Sequence, residues 1–209
     1  MDITKTLKEY LDELSSNSPT PGGGNVAALC GVLSASLGTM VCNLTIGKKK
    51  YTDVEQEISD VKTKLEQYKD TFVNLAAKDN EAFDNVMDAF KLPKDTDEQK
   101  SIRIRQIDDA TFMAAEVPNE VIKNCKELLP IIRIVAEKGN QNSLSDIGVS
   151  ALLLSSAAQA AYLNVLINCT ALKNQTIAGE LLKSAEIRTE DIKNESNDIL
   201  EYIKRRLQS

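Results

Sequence analysis

Residues 25–47 read NVAALCGVLSASLGTMVCNLTIG, a run without a single charged side chain. Leu29, Leu33, Leu37, Met40, Val41 and Leu44 recur in it at mostly three- and four-residue steps, the period of a buried α-helix rather than of a strand. A second uncharged run, residues 147–172, has the same character. Either is long enough to cross a bilayer. However, Asn25, Ser34, Ser36, Thr39, Asn43 and Thr45 in the first, and Ser150, Ser155, Ser156, Gln159, Asn164 and Asn168 in the second, are a heavy polar load for lipid contact. Ala27, Gly31 and Ala35 lie four apart, as do Ser34, Gly38 and Cys42, so these faces admit close helix approach. The two helices are expected to cross inside a bundle or at a subunit interface. With so much uncharged surface to cover, a homo-oligomer is expected, with no membrane association.

Working outward, Ile3, Leu7, Tyr10, Leu11 and Leu14 predict an amphipathic helix over residues 2–15. The run Pro19-Thr20-Pro21-Gly22-Gly23-Gly24 is read as irregular. Gly47 followed by Lys48-Lys49-Lys50 reads as a helix C-cap with cations facing the dipole. A polar helix is expected from 52 to 90, with a break possible at Ala77-Lys78, and Leu92-Pro93-Lys94-Asp95 ends it. Thr96 and Gln99 form a capping box for the next helix, which Pro118 should kink or end near Val117. A further helix through Val121, Ile122, Cys125, Leu128 and Leu129 meets a second kink at Pro130 and ends at Gly139-Asn140. Ser143 is expected to cap the second uncharged helix, and a charged amphipathic helix covers 175–207. No strand pattern is present, so the expectation is one all-α domain over residues 1–209.

Composition narrows the chemistry. The 209 residues carry 25 Lys+Arg against 31 Asp+Glu, a charge of −6, which disfavours a broad nucleic-acid-binding surface. There is no histidine, which excludes Ser-His-Asp and Cys-His catalysis and imidazole metal ligation. Acid–base work then falls to Asp, Glu, Lys, Tyr or Cys. Cys30, Cys42, Cys125 and Cys169 form no CxxC pair and are expected to be buried, reduced thiols. The mixed-charge start MDITKTLKEYLDEL has no hydrophobic signal segment, so a cytoplasmic location is expected.

Five segments are candidates for chemistry. Pro21-Gly22-Gly23-Gly24-Asn25 offers either an anion cradle at a helix start or simply a tight turn. Lys48, Lys49, Lys50 and Tyr51 offer cations for a polyanionic tail and a ring for stacking, or a solvated helix end. A helix of about 22 residues spans some 33 Å, so these two segments share a site only if neighbouring helices or subunits bring opposite ends together. The third comprises Asp79, Asn80, Glu81 and Asp84, followed by Lys91-Leu92-Pro93-Lys94. The fourth is the Asn-rich loop from Gly139 and Asn140 to Asp146, whose carboxylate also suits a helix dipole. Finally Asn164 and Asn168, four apart on an apolar helix, either tie helices together or reach into a site.

Taken in order, SPTPGGGNVAAL (18–29), GKKKY (47–51), DNEAFDNVMDAFKLPK (79–94), EVP (116–118), EKGNQNSLSDIGVSALLL (137–154) and NVLIN (164–168) resemble the formiminotetrahydrofolate cyclodeaminase/methenyltetrahydrofolate cyclohydrolase family. The resemblance covers nearly the whole chain, and its first and fifth segments are the most specific. Asn119 departs from it, where an apolar residue is expected after the VP pair. It implies an all-helical homodimer in the standalone form, a reduced folate, possibly polyglutamylated, as substrate, and no metal or other cofactor. The implied reaction closes 5-formiminotetrahydrofolate to 5,10-methenyltetrahydrofolate with loss of ammonia. The alternative is cyclohydrolase opening of the methenyl bridge, and a second alternative is a non-catalytic helical dimerisation module. Asp79 and Asp146 are then the catalytic carboxylate candidates. Pro21, Gly22, Gly23, Gly24, Lys48, Lys49, Lys50, Tyr51, Lys94, Asn140 and Asn164 are the substrate-binding candidates.

Overall fold

A computed structural model describes residues 4–208 and contains no strand among them. Six helices follow in order: α1 (Leu7–Leu14), α2 (Gly23–Thr45), α3 (Glu55–Lys91), α4 (Asp97–Lys138), α5 (Leu144–Ala171) and α6 (Gln175–Leu207). Short 3-10 turns at Lys49–Val54 and Gln141–Ser143 join α2 to α3 and α4 to α5. The all-α expectation is met. The first helix starts at Leu7, where Thr6 and Glu9 form a capping box, and Ile3 lies outside the described residues.

Consecutive long helices run antiparallel. Phe72 and Leu65 of α3 face Gly31 and Gly38 of α2, and the hydroxyls of Ser34 and Ser150 meet at 3.0 Å between α2 and α5. Lys138 of α4 pairs with Glu57 of α3 at 2.6 Å, and Gly148 of α5 faces Ile203 of α6. With few aromatics available, the core is aliphatic around one Phe: Ile58, Leu65, Phe72, Ile122, Leu128, Leu129, Ile132, Ile147, Leu154 and Ile192 are fully buried. The cysteines are all free, and burial pushes the Cys42 thiol up to about 12.

Several local expectations need correction. Gly23 and Gly24 are not loop but the first turn of α2. Gly47 does take the left-handed cap conformation, with φ +75°. No break occurs at Ala77-Lys78. Pro118 does not end α4, which continues through it and through Pro130 to the expected end at Gly139. A proline removes the donor for the carbonyl four residues back. For Pro118 that carbonyl belongs to Ala114, and it accepts instead from Asn168 Nδ2 of α5 at 2.9 Å. Pro130 is exposed, where a freed carbonyl can turn to water. Asn168→Leu is therefore expected to lower stability by about 1–3 kcal/mol by stranding that carbonyl, read as a shifted urea midpoint. Ser143 occupies the N-cap position of α5 but its side chain makes no capping bond. Asn119, the departure from the family pattern, is buried, with Nδ2 3.3 Å from Glu116 Oε2 and no partner for Oδ1.

The uncharged helices are only half covered. Both have the length and composition to cross a membrane, and each buries one face in the bundle. The other face leaves Leu33, Met40 and Leu44 of α2 and Val149, Leu152, Leu163, Leu166 and Ile167 of α5 exposed.

Candidate active site

The start of α2 has unpaired backbone N–H groups and no side chain of its own to cap them, since its N-cap is Gly22. A carboxylate from another helix supplies part of the cap. The Asn25 backbone N–H donates to Asp79 of α3. The approach is possible because Gly24 lacks a Cβ: one built there would lie 2.1 Å from Asp79 Oδ1. Burial pushes the Asp79 carboxyl above the ordinary carboxylate range, and the bond from Asn25 partly opposes this.

Asn25 locks the surroundings. It is fully buried, its Oδ1 accepts from the Tyr10 hydroxyl at 3.0 Å, and its Nδ2 donates to Ala76 O at 2.8 Å and Asn80 Oδ1 at 3.2 Å. One amide thus joins α1, α2 and α3. On the other side, Asn164 of α5 lies against Gly23, its Nδ2 3.6 Å from where a Cβ would stand, and donates to Ala160 O at 2.9 Å. Gly23 itself is exposed, and Pro21 is buried after a cis Thr20–Pro21 bond. Tyr10, Thr20, Pro21, Asn25 and Asn80 border a small cavity of about 70 Å³.

A second cluster forms at the far end of α2. Lys48, Lys49 and Lys50 are exposed, and Lys50 Nζ stands 5.5 Å from the Tyr51 ring centre. Tyr51 Oη accepts from the Gln141 N–H at 3.0 Å, bringing the lysine run and the Asn-rich loop together. Asn140 closes the same junction: its N–H donates to Thr45 Oγ1 at 2.8 Å, its Nδ2 to Leu44 O at 2.9 Å, and its Oδ1 accepts from the Asn142 N–H at 3.1 Å. Both ends of this amide are engaged in holding the loop. Asp146 is half-buried in the first turn of α5.

The residues predicted from the sequence therefore fall into two groups. Pro21, Gly22, Gly23, Gly24, Asp79 and Asn164 are together. Lys48, Lys49, Lys50, Tyr51, Asn140 and Asp146 are together at the opposite end of a 23-residue helix, about 34 Å away. Asp79 and Asp146 do not meet within one chain. Lys94 is exposed in the α3–α4 connection, beyond the end of α3 and in neither cluster. Among the described residues no group of three or more Cys, Asp or Glu is arranged to hold a metal ion. A groove of about 660 Å³ between α5 and α6, lined by Gln159, Tyr162, Glu186 and Glu190, includes no residue of either cluster. Sequence reasoning missed the hub role of Asn25 and the partners Tyr10 and Asn80. The available signal was an Asn placed directly after three glycines at the start of an uncharged helix.

Residues 6–187 match the family described as formiminotransferase-cyclodeaminase. A methenyltetrahydrofolate cyclohydrolase from Methylorubrum extorquens is 45% identical over 182 residues, covering 87% of this chain and 88% of that protein. A formimidoyltransferase-cyclodeaminase from Gallus gallus is 30% identical over 204 residues, 98% of this chain but 38% of that protein. The crystal structure of a formiminotetrahydrofolate cyclodeaminase from Thermotoga maritima superposes with a TM-score of 0.81 at 34% identity, over 95% of this chain and 97% of that one.

Proposed function

Because the chain belongs to the formiminotransferase-cyclodeaminase family, we propose that it is a homodimeric folate enzyme that opens the bridge of 5,10-methenyltetrahydrofolate. Water adds to the amidinium carbon of the bridge, a proton is lost, and the C–N5 bond breaks to give 10-formyltetrahydrofolate. Sequence reading alone placed cyclodeamination first. The 45% identity to a cyclohydrolase along most of its length moves ring opening ahead of it. Deamination stays as the second reading because the Thermotoga maritima relative, matched along nearly its whole length, is a cyclodeaminase. There N10 attacks the formimino carbon and ammonia leaves the same tetrahedral centre.

The observation that carries the proposal is a half-buried carboxyl, raised by burial, held under an exposed glycine turn with Asn164 across it. Both reactions pass a cationic carbon through a tetrahedral intermediate, and both need a proton moved near it. A carboxyl held above the ordinary carboxylate range is suited to that transfer, and its ionised form to stabilising the cation. The free N–H groups of the turn would hold a carbonyl or carboxylate of the substrate, and Asn164 would orient it. Lys48, Lys49 and Lys50 would attract the glutamate tail. Neither reaction calls for a metal or redox cofactor.

The test supplies the purified protein separately with 5,10-methenyl- and 5-formiminotetrahydrofolate and follows the methenyl chromophore together with ammonia. Loss of chromophore above the uncatalysed rate, without ammonia, is expected. Chromophore gained with one ammonia per turnover would establish the second reading, and no change with either substrate would refute both.

A further inference from the structure

Resting on that reading, we infer that Tyr10 is a positioning residue for Asp79: its hydroxyl, acting through the Asn25 side chain, fixes the backbone N–H from which Asp79 accepts. The first intrahelical bond of α2 runs from the Val26 N–H to Gly22 O at 3.1 Å, so the N–H groups of Gly23, Gly24 and Asn25 have no partner within the helix. Asn25 directs its own at Asp79. Gly23 and Gly24 carry no side chain, so the Asn25 amide is the first group in α2 able to hold the turn in place. It is fully buried, and its partners come from α1 and α3. Whatever orients this amide therefore orients the N–H on the same residue, and with it the Asp79 carboxylate.

The bonds around the amide allow one arrangement. Its Nδ2 donates to Ala76 O at 2.8 Å and to Asn80 Oδ1 at 3.2 Å, and a backbone carbonyl can only accept, so the amino end must face α3. The Oδ1 then faces α1, where the Tyr10 hydroxyl donates to it at 3.0 Å. This commits the phenol proton to Asn25, so Tyr10 holds the turn and is not itself an acid toward substrate. Tyr10 is the one residue that α1 buries, while Leu7 and Leu11 stay exposed. Burial, then Cys30 and Asp79, hold the phenol above its ordinary value, and burial does the same for the Cys30 thiol of α2. Both stay neutral over the range in which a carboxyl titrates. Lys5 and Glu13, on the rim of the adjoining cavity, pair with each other at 2.6 Å, and Asn80 of α3 and Asn164 of α5 carry no charge. A carboxyl titration sensed at the Asn25 N–H therefore belongs to Asp79, the group which that N–H touches.

The first measurement needs no folate. In isotope-labelled protein the NMR signal of the Asn25 N–H is followed as pH is lowered through the titration of Asp79. Tyr10→Phe keeps the ring and removes the donor, which strands Asn25 Oδ1 and loosens the turn. The midpoint read at Asn25 should then rise by about half a pH unit or more, because the bond from Asn25 is what opposes the effect of burial on Asp79. Asn80→Ala leaves α1 untouched and should move the midpoint the same way by less, since Ala76 O still holds Nδ2; it decides the matter if Tyr10→Phe does not fold. An unmoved midpoint in the variant that folds overturns the proposal, whatever the enzyme turns over. In the folate assay Tyr10→Phe should lower kcat by about 10-fold or more and leave KM within about twofold, the pattern of lost orientation in the transition state. Introduced into Asp79→Asn, the same change should alter the residual rate by less than about twofold, because the group it positions is already gone. Parental kcat in Tyr10→Phe, or equal losses in both backgrounds, also overturns the proposal. Absence of turnover in the parent refutes the folate reading alone and leaves the Asn25 titration to judge the positioning.

Discussion

Asp79→Asn is expected to reduce turnover by about 10²- to 10⁴-fold, the range for losing a general acid or base, while the protein melts at the same temperature or higher. Asn presents the same oxygen to the Asn25 N–H, so the cap on α2 survives, whereas the titratable proton does not. The stability side follows from the direction of the shift. Burial raises the Asp79 carboxyl, so the folded state binds that proton more tightly than the unfolded chain does. The resulting stabilisation is fully present below the unfolded value and is lost as pH rises through the folded one. Above the folded value the ionised group is a burden that Asn removes. Thermal melts of parent and variant from pH 4 to 8 should therefore converge or cross toward acid, with the variant at least as stable at neutrality. A purely structural cap would give the opposite pairing, stability lost before activity. Gly24→Ala provides the complementary case: its Cβ would meet Oδ1 at 2.1 Å and drive the carboxylate off the Asn25 N–H without removing it. Parental turnover in Asp79→Asn would refute the assignment.

The helices themselves were legible because local signals agree with packing. Thr96 and Gln99 form the expected box, Gly47 takes the expected positive φ, and the boundaries of α6 match. The failures share a cause, namely a partner distant in sequence. Of the kink or end expected at Pro118, the end does not occur, because Asn168 of α5 donates to the carbonyl that the proline frees. Gly23 and Gly24 should have stayed out of the helix, yet Asp79 from α3 supports its first turn. The site was legible as a set of residue types and not as a place. No spacing rule says that Asp79 lies under Gly24, nor that Tyr51 receives the Gln141 N–H. The separation of the lysine run from its own glycine turn, by contrast, was legible, because the length of the uncharged helix sets it.

Phe72→Ala should have the largest effect on stability, about 3–5 kcal/mol, out of a total that for most domains is about 5–15 kcal/mol. The residue is fully buried, and its ring fills the notch left by Gly31, where a Cβ would lie 2.6 Å from the nearest ring carbon. Small residues spaced four apart on α2 were expected to let the two uncharged helices approach. Ser34 does meet Ser150 of α5, but Gly31 and Gly38 receive Phe72 and Leu65 of α3 instead. The notch and the ring are thus one unit, and this makes a further outcome specific. Gly31→Ala alone overpacks the contact and should lose about 1–3 kcal/mol, because a ring wedged in a helix interface cannot withdraw as a surface side chain can. In Gly31→Ala/Phe72→Leu the smaller side chain leaves room for the added methyl. The double variant should then be less destabilised than the sum of the two singles by about 0.5–3 kcal/mol, the coupling expected of residues in contact. Urea unfolding of the four proteins closes the cycle. Additive losses would mean that Phe72 and Gly31 are buried side by side without being fitted to each other.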